Sequence, residues 1–286
     1  MGKRNVGGQA LIEGVMMQCD DKIVMAARKP STGQIVSKSK PFKSRTKRYP
    51  WKLPIVRGSI ALVEMLIIGI KALNWSSSIN IGEEEKISTW QIVMTMIFAF
   101  GFALLLFKFL PLGFAQLLTH FEIFNNRYLF NLVEGLSKVF MVAFYIYIIS
   151  FMKDVKRVFM YHGAEHKAVN CYEAGKELTV KNASKFSTVH KRCGSSFILL
   201  VLFISILVYI LLPMDVSFWA KYGLRILLLP LVAGLAYEVL KLNAKRDNWL
   251  LKAFVKPGLW LQKLTTKEPD DKQLEVALFA LKKCLK

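Results

Sequence analysis

The stretch Tyr161–Glu173, "YHGAEHKAVNCYE", places two of the chain's four histidines four residues apart. On a helix such a pair lies one turn apart on the same face, near enough to bind one metal ion. Glu165 immediately precedes His166, as the general base does in metalloproteases with an H-x-x-E-H motif. The spacing therefore predicts a metal site with His162 and His166 as ligands and Glu165 as the catalytic base.

A catalytic zinc site needs a third protein ligand and leaves one position open for water, whose pKa falls to about 7. Glu173, His190 and Cys193 are the candidates for further metal ligands. The last two belong to "HKRCGSSF", where an imidazole and a thiol lie three residues apart, and Glu238 is a weaker candidate. The expected cofactor is a divalent metal, with zinc the leading choice. The same cluster could instead be a structural metal site or a hydrogen-bonded group with no catalytic role.

The composition predicts a membrane protein. Of the 286 residues, 53% are hydrophobic and the mean hydropathy is +0.35, which is high for a soluble domain of this length. A spanning helix needs about 20 mostly apolar residues. Four runs approach that length: 90–112, 129–152, 196–212 and 222–242. We expect an all-α integral membrane protein with four transmembrane helices, two within 88–152 and two within 196–242.

The distribution of charge predicts the topology. Lys and Arg number 40 against 20 acidic residues, and the basic residues concentrate before residue 58, across 153–192 and after 240. Cytoplasmic segments carry the Lys/Arg excess, so four spans with both termini and 153–195 in the cytoplasm fit the pattern. A further apolar stretch, 55–74, contains charged residues and is predicted to be an interfacial or re-entrant helix, because a fifth span would move 153–192 outside.

The remaining segments are predicted to form a cytoplasmic layer. Residues 1–54 should form an N-terminal module with a β-hairpin, because "KIVMAAR" and "QIVSKSK" flank a turn with Pro30 and Gly33. The segment 153–195 should extend the second spanning helix. The C-terminal helices, within 243–286, carry a leucine stripe at 4-3-4 spacing that should pack against this layer; its members are Leu274, Leu278, Leu281 and Leu285.

The net charge of +20 indicates a basic cytoplasmic face that binds anionic lipid headgroups. A ribosome or translocon contact and a homo-oligomer are further expected partners, whereas no motif for sequence-specific nucleic-acid binding is present. Glu134 and Glu64 are ionisable groups within or beside apolar runs, and Glu64 is expected to pair with Lys71 or Lys138. Because few charges fall within the spans, a transporter is the third choice of function.

Four motifs together resemble the YqhQ-like family of bacterial membrane proteins: "GGQALIEGVMM", "FMYHGAEHKAVNCYE", "HKRCGSSF" and "KEPDDKQLEVALFAL". They follow the family's order over nearly the full length, with one change, a serine where the family usually has threonine in "CGSS". The resemblance implies a multi-pass protein of the bacterial cytoplasmic membrane and a metal-dependent enzyme, but no substrate. The motif residues that it carries over are Glu13, His162, Glu165, His166, Glu173, His190 and Cys193.

The leading expectation is thus a metal-binding polytopic membrane protein, a hydrolase acting at the cytoplasmic interface. The alternative is a non-catalytic membrane-biogenesis or scaffold protein, whose basic face binds a partner such as the ribosome–translocon.

Overall fold

The structure, a computed structural model, describes residues 4–81, 88–190, 193–245 and 249–286. Four strands come first: β1 (Val6–Leu11), β2 (Gly14–Cys19), β3 (Lys22–Arg28) and β4 (Ile35–Pro41). The helices that follow are α1 (Val56–Ile81), α2 (Thr89–Leu104), α3 (Leu110–Leu118), α4 (Arg127–Ile149), α5 (Lys153–Glu173), α6 (Val180–Ala183), α7 (Gly194–Tyr209), α8 (Phe218–Leu227), α9 (Leu229–Lys245), α10 (Trp249–Thr265) and α11 (Asp271–Leu285). A π-helical segment, Leu105–Phe109, joins α2 to α3.

The N-terminal module is a four-stranded antiparallel sheet in the order β1-β2-β3-β4. The predicted hairpin corresponds to β3 and β4, which pair from Lys22 opposite Pro41 to Arg28 opposite Ile35. The prediction of an all-α protein with one β-hairpin underestimated the β structure, because "GGQALIEGVMM" forms a second hairpin, β1–β2. The turn between those strands holds Glu13 at a φ of +52°.

Both faces of the sheet are covered, which explains why β2 and β3 are buried along nearly their whole length. Residues such as Met17 and Val24 pack against α5 and α11 on one face. Met16 and Ile23 pack against α1 on the other. Alternate residues of a strand point to opposite faces, so a strand covered on both sides needs apolar residues in succession. The sheet is therefore the centre of a three-layer unit.

The C-terminal helix α11 packs on this sheet through its leucine stripe, as predicted. Leu274, Leu278 and Leu281 are buried in the same core as β2 and β3. Asp270 caps the helix by accepting a hydrogen bond from the backbone N–H of Gln273. This docking orders the segment between α10 and α11, which passes over α5 beside the candidate site.

Among the described residues, two helical stretches are long and apolar enough to cross a membrane, Val93–Leu118 and Arg127–Ile149. The pair α8 and α9 would make a third span, bent by 44° at the break between them. The predicted third span corresponds to α7, whose 16 residues extend about 24 Å and fall short of a hydrocarbon core of about 30 Å. Length and composition thus support two or three spans, where the sequence predicted four.

The charged apolar stretch forms α1, which continues to Ile81 and is longer than predicted. Its start packs on α9, where Arg57 forms an ion pair with Glu238. Glu64 does not pair with a lysine: it accepts hydrogen bonds from the Ser44 hydroxyl at 2.6 Å and the Arg45 backbone N–H at 2.7 Å. Glu238, the weaker candidate for a metal ligand, therefore pairs with Arg57 and is not part of the cluster of His162, His166 and Cys193.

The helix that carries the histidine motif does not continue the preceding span. Helix α4 ends at Ile149 and α5 begins at Lys153, after a turn through Ser150 and Phe151. The break allows α5 to leave the direction of the span and to lie against β1, β2 and α11.

Candidate metal centre

Helix α5 brings His162 and His166 together on one face, with ring centroids 4.4 Å apart. Gly163 lies between them in the sequence. A Cβ at this position would lie 2.1 Å from the backbone carbonyl oxygen of Lys267. Only glycine allows the chain that follows α10 to cross α5 at this distance.

That crossing orients the first histidine. The backbone carbonyl of Thr265 lies 2.9 Å from His162 Nδ1, and the carbonyl of Thr188 lies 2.5 Å from His166 Nδ1. A carbonyl only accepts hydrogen bonds, so Nδ1 donates in each ring and the neutral imidazole keeps its free lone pair on Nε2. Backbone carbonyls commonly orient metal-binding histidines in this way.

Cys193 completes a three-residue cluster. Its Sγ lies 3.2 Å from His162 Nε2, and potential ligand atoms of His162, His166 and Cys193 all lie within 4.8 Å of one another. Cys193 is the N-cap of α7, where its sulfur accepts a hydrogen bond from the Ser195 backbone N–H. The positive end of a helix dipole favours negative charge at this position, which suits a metal-bound thiolate.

The donor set fits zinc. Zinc binds imidazole nitrogen at about 2.0–2.1 Å and thiolate at about 2.3 Å, which places tetrahedral nitrogen and sulfur ligands about 3.5 Å apart. The separation between His162 Nε2 and Cys193 Sγ is close to that value, and the upper limit of 4.8 Å requires a shift of about 1 Å. Three protein ligands also match the number typical of catalytic zinc sites, where structural sites usually have four.

Glu165 lies beside the cluster and points toward β1. Its Oε2 is 3.5 Å from His166 Nε2, and the residue is only 4% exposed. A Cβ at Gly8 would lie 2.6 Å from Glu165 Cγ, so the strand passes directly over this side chain. Burial raises the pKa of the Glu165 carboxyl to about 7, although the nearby His162 acts in the opposite direction. Gly8 thus allows a close approach of β1 to Glu165.

The other two predicted ligands form a neighbouring pair. His190 Nε2 lies 3.3 Å from Glu173 Oε2, and the His190 ring centroid is 5.7 Å from that of His166. The structure thus brings three of the five predicted ligands together, and Glu173 and His190 flank them. Glu13, from the same set of motifs, forms an ion pair with Arg157.

Helix α10 supports the site in a way that the sequence did not indicate. Gln262 is fully buried. Its Oε1 accepts from the His190 backbone N–H and its Nε2 donates to the His190 carbonyl, each at 2.9 Å, and Nε2 also donates to Ser196 Oγ at 2.9 Å. Gly258 allows the close contact, because a Cβ there would lie 2.5 Å from Ser196 Cα. A glutamine in an amphipathic helix carries no chemical signature, so nothing in the sequence singled it out.

Taken together, these features define a mostly helical, membrane-associated protein with a His/Cys cluster next to a small antiparallel sheet. The chain belongs to the family described as "Protein of unknown function (DUF1385)", which matches residues 53–286. It is 38% identical over 296 aligned positions to "Uncharacterized protein YqhQ" of Bacillus subtilis (strain 168), covering 98% of this chain and 92% of that protein. The predicted family is therefore confirmed. No solved structure matches the chain at a significant level.

Proposed function

We propose that this protein is a zinc-dependent membrane protein, with His162, His166 and Cys193 as the metal ligands and Glu165 as the catalytic base of a hydrolase. The observation that carries the proposal is the orientation of the two imidazoles. Each uses Nδ1 to donate to a backbone carbonyl. His162 Nε2 lies 3.2 Å from the Cys193 sulfur, and a ring nitrogen of His166 lies within 4.8 Å of both other ligand atoms. A purely hydrogen-bonded cluster does not require this arrangement.

A zinc ion held by these residues would supply Lewis acidity and bring the pKa of a bound water to about 7. The protein's own contribution is positioning. The carbonyls of Thr265 and Thr188 fix the two rings, and the buried Glu165 carboxylate is close enough to His166 Nε2 to take a proton from an attacking water. Gly8 keeps strand β1 closely packed over that carboxylate and excludes water from its outer side.

The proposed setting is the cytoplasmic side of a bacterial membrane. Helix α7, although shorter than a full span, and the bent pair α8–α9 would join the two long apolar helices as four membrane-inserted segments, and α1 would lie at the interface. Exposed apolar residues of α1, among them Leu62, Val63 and Leu66, support contact with lipid. The Lys/Arg excess supports a cytoplasmic location for both termini and the metal cluster.

The catalytic and structural hypotheses differ in whether the metal has an open coordination position. Cobalt(II) can replace zinc and reports its coordination by its visible spectrum, so the purified protein should be loaded with cobalt and titrated with acetohydroxamate. We expect a spectral change that saturates with added hydroxamate and that is absent from a His166→Ala variant. A cobalt spectrum that hydroxamate leaves unchanged would favour a closed, structural site and hence the scaffold alternative.

The topology has its own test. Single cysteines introduced at Lys181, in the segment that contains the site, and at Asn125, in the short connection before α4, can be labelled in intact cells with a membrane-impermeant thiol reagent. We expect labelling at position 125 and protection at position 181 until the membrane is opened. The reverse pattern would rule out the proposed orientation.

A further inference from the structure

A second polar cluster lies within the apolar helices, in a different part of the chain from the metal centre. It consists of Glu134 and four cations, Lys108, Lys138, Lys221 and Arg225, and we call it the buried cation cluster. Lys108, Lys138 and Arg225 lie over the Tyr209 ring, and Lys221 and Arg225 lie over the Phe130 ring. Glu134 and Lys138 are each 1% exposed, Arg225 is 2% exposed and Lys221 is 6% exposed. Ionisable groups at membrane depth are costly and commonly mark functional sites.

The single carboxylate of the cluster is already engaged by two cations. Lys138 forms an ion pair with Glu134 one helical turn away. Arg225 Nε lies 2.8 Å from both oxygens of Glu134, and its Nη2 lies 2.7 Å from Oε2. Arg225 Nη2 also donates to Asn131 Oδ1 at 3.1 Å. Glu134 carries one negative charge and already pairs with two cations, so its carboxylate does not neutralise the four cations of the cluster.

The other two lysines have uncharged hydrogen-bond partners among the described residues. Lys108 Nζ donates to the Tyr209 hydroxyl at 2.8 Å, and Lys221 Nζ donates to Gln116 Oε1 at 2.9 Å. An ammonium group has three donors, so each lysine has donors left for a ligand. In the part of the chain that the structure describes, the cluster holds four cations and the Glu134 carboxylate, and the exposed Asp215 lies near enough to Lys221 to interact with its charge. With both acids counted, the formal excess is two positive charges.

The cluster is built on irregular helices. Lys108 belongs to the π-helical segment, and Arg225 lies two residues before α8 ends at its break with α9. π-helical segments are frequent at functional sites, and interrupted membrane helices commonly form binding sites. Two such irregular segments each contribute a cation to the same cluster, which indicates a binding role in addition to packing.

The cluster can be reached from the edge of the apolar region. Lys108 is partly exposed. Lys221 lies next to Tyr222, and this ring and Trp219 pack around Phe109 with centroid distances of 5.9 and 6.0 Å. Aromatic groups of this kind are typical of the level of lipid headgroups. A ligand at that level would meet Lys108, which adjoins Phe109 and is the partly exposed lysine of the cluster.

We propose that the buried cation cluster binds a phosphate group, from an anionic lipid headgroup or from free phosphate. A phosphate group carries up to two negative charges and therefore offsets more of the excess than a single carboxylate can. Lysine ammonium groups bind phosphate as point charges. The unused ammonium donors of Lys108 and Lys221 are the groups available to its oxygens, and the Arg225–Glu134 pair links the helices that carry the cluster.

The test uses the full chain purified in phosphate-free detergent. Its melting temperature is measured with sodium phosphate against sodium chloride at equal ionic strength, and in nanodiscs of phosphatidylglycerol against phosphatidylcholine. We expect stabilisation by phosphate, by phosphatidylglycerol, or by both, and the arm that responds identifies the source. No stabilisation in either arm would overturn the proposal.

Variants separate the site from general charge effects. Lys108→Gln and Lys221→Gln should each weaken the response about tenfold in apparent affinity, because each removes a charge-assisted hydrogen bond. Arg127→Gln, which removes an exposed cation at the start of α4, should respond as the wild type does, and Lys221→Arg should retain most of the response. Equal responses in all four variants and the wild type would contradict the assignment to this cluster.

Discussion

Replacement of Gly163 by alanine tests how the fold orients the metal ligands. The added Cβ would lie 2.1 Å from the Lys267 carbonyl oxygen. That oxygen belongs to the backbone, so the chain that crosses α5 must move by about 1 Å to reach even a tight contact of 3.0 Å. The same chain carries the Thr265 carbonyl, which accepts from His162 Nδ1 at 2.9 Å. A shift of that size would break the hydrogen bond and free the His162 ring to rotate.

The expected magnitudes follow from these contacts. Alanine improves helix propensity by about 0.8–1.0 kcal/mol, whereas overpacking costs about 1–3 kcal/mol, so the net loss of stability should be no more than about 2 kcal/mol. Loss of the group that orients a metal-binding histidine typically lowers metal affinity by about 10–100-fold. We therefore expect Gly163→Ala to fold and insert, and to bind zinc at least about tenfold more weakly in competition with a chromophoric chelator.

Gly113→Ala is the matched control, because a Cβ there meets no atom within 4 Å. It lies in helix α3, so it should gain the same helix propensity and keep wild-type zinc affinity. The reasoning would be refuted by a Gly163→Ala protein that binds zinc as tightly as Gly113→Ala does.

Three further substitutions separate the roles of individual residues. Cys193→Ser should abolish the sulfur-to-cobalt charge-transfer band of the cobalt protein. Cys171→Ser is the control and should retain the band, because Cys171 is buried elsewhere and donates to a backbone carbonyl. If the band persists in Cys193→Ser, this sulfur is not a ligand. Glu165→Gln should leave the zinc content near one per chain, because the metal ligands are His162, His166 and Cys193, and a loss comparable to that of His166→Ala would instead make Glu165 a ligand. Leu278→Asp should lower the free energy of unfolding by several kcal/mol and reduce the amount of folded protein, since it places an unpaired carboxylate in the core beneath the sheet. Phe279→Asp is the control at an exposed position of the same helix, and it should change the melting temperature little.

The sequence predicted what depends on local spacing. A pair of histidines four residues apart must share a helix face, and a leucine stripe at 4-3-4 spacing must be covered, so α5 and α11 could be anticipated. Cys193 could be proposed as a ligand because a thiol suits zinc. The choice between Cys193 and the pair Glu173 and His190 depends on how the loop before α7 returns to α5, and composition does not determine that path.

Contacts between distant segments were missed for the same reason. The close packing of Gly163 on Lys267 involves residues more than 100 positions apart, and no spacing rule connects them. The buried cation cluster was also missed. Nothing in the sequence connects Lys108 with Lys221, yet tertiary packing places Lys108 over the Tyr209 ring and Lys221 over the Phe130 ring.

X-ray absorption spectroscopy at the zinc edge tests directly whether His162, His166 and Cys193 bind zinc. The sample is wild-type protein purified in detergent after zinc loading and removal of excess metal. We predict about one zinc per chain. The zinc should have one sulfur neighbour at about 2.3 Å, and its other neighbours should be nitrogen and oxygen atoms at about 2.0–2.1 Å that include two imidazoles. No retained zinc, or a zinc shell without sulfur, would contradict the assignment of His162, His166 and Cys193 as the metal site.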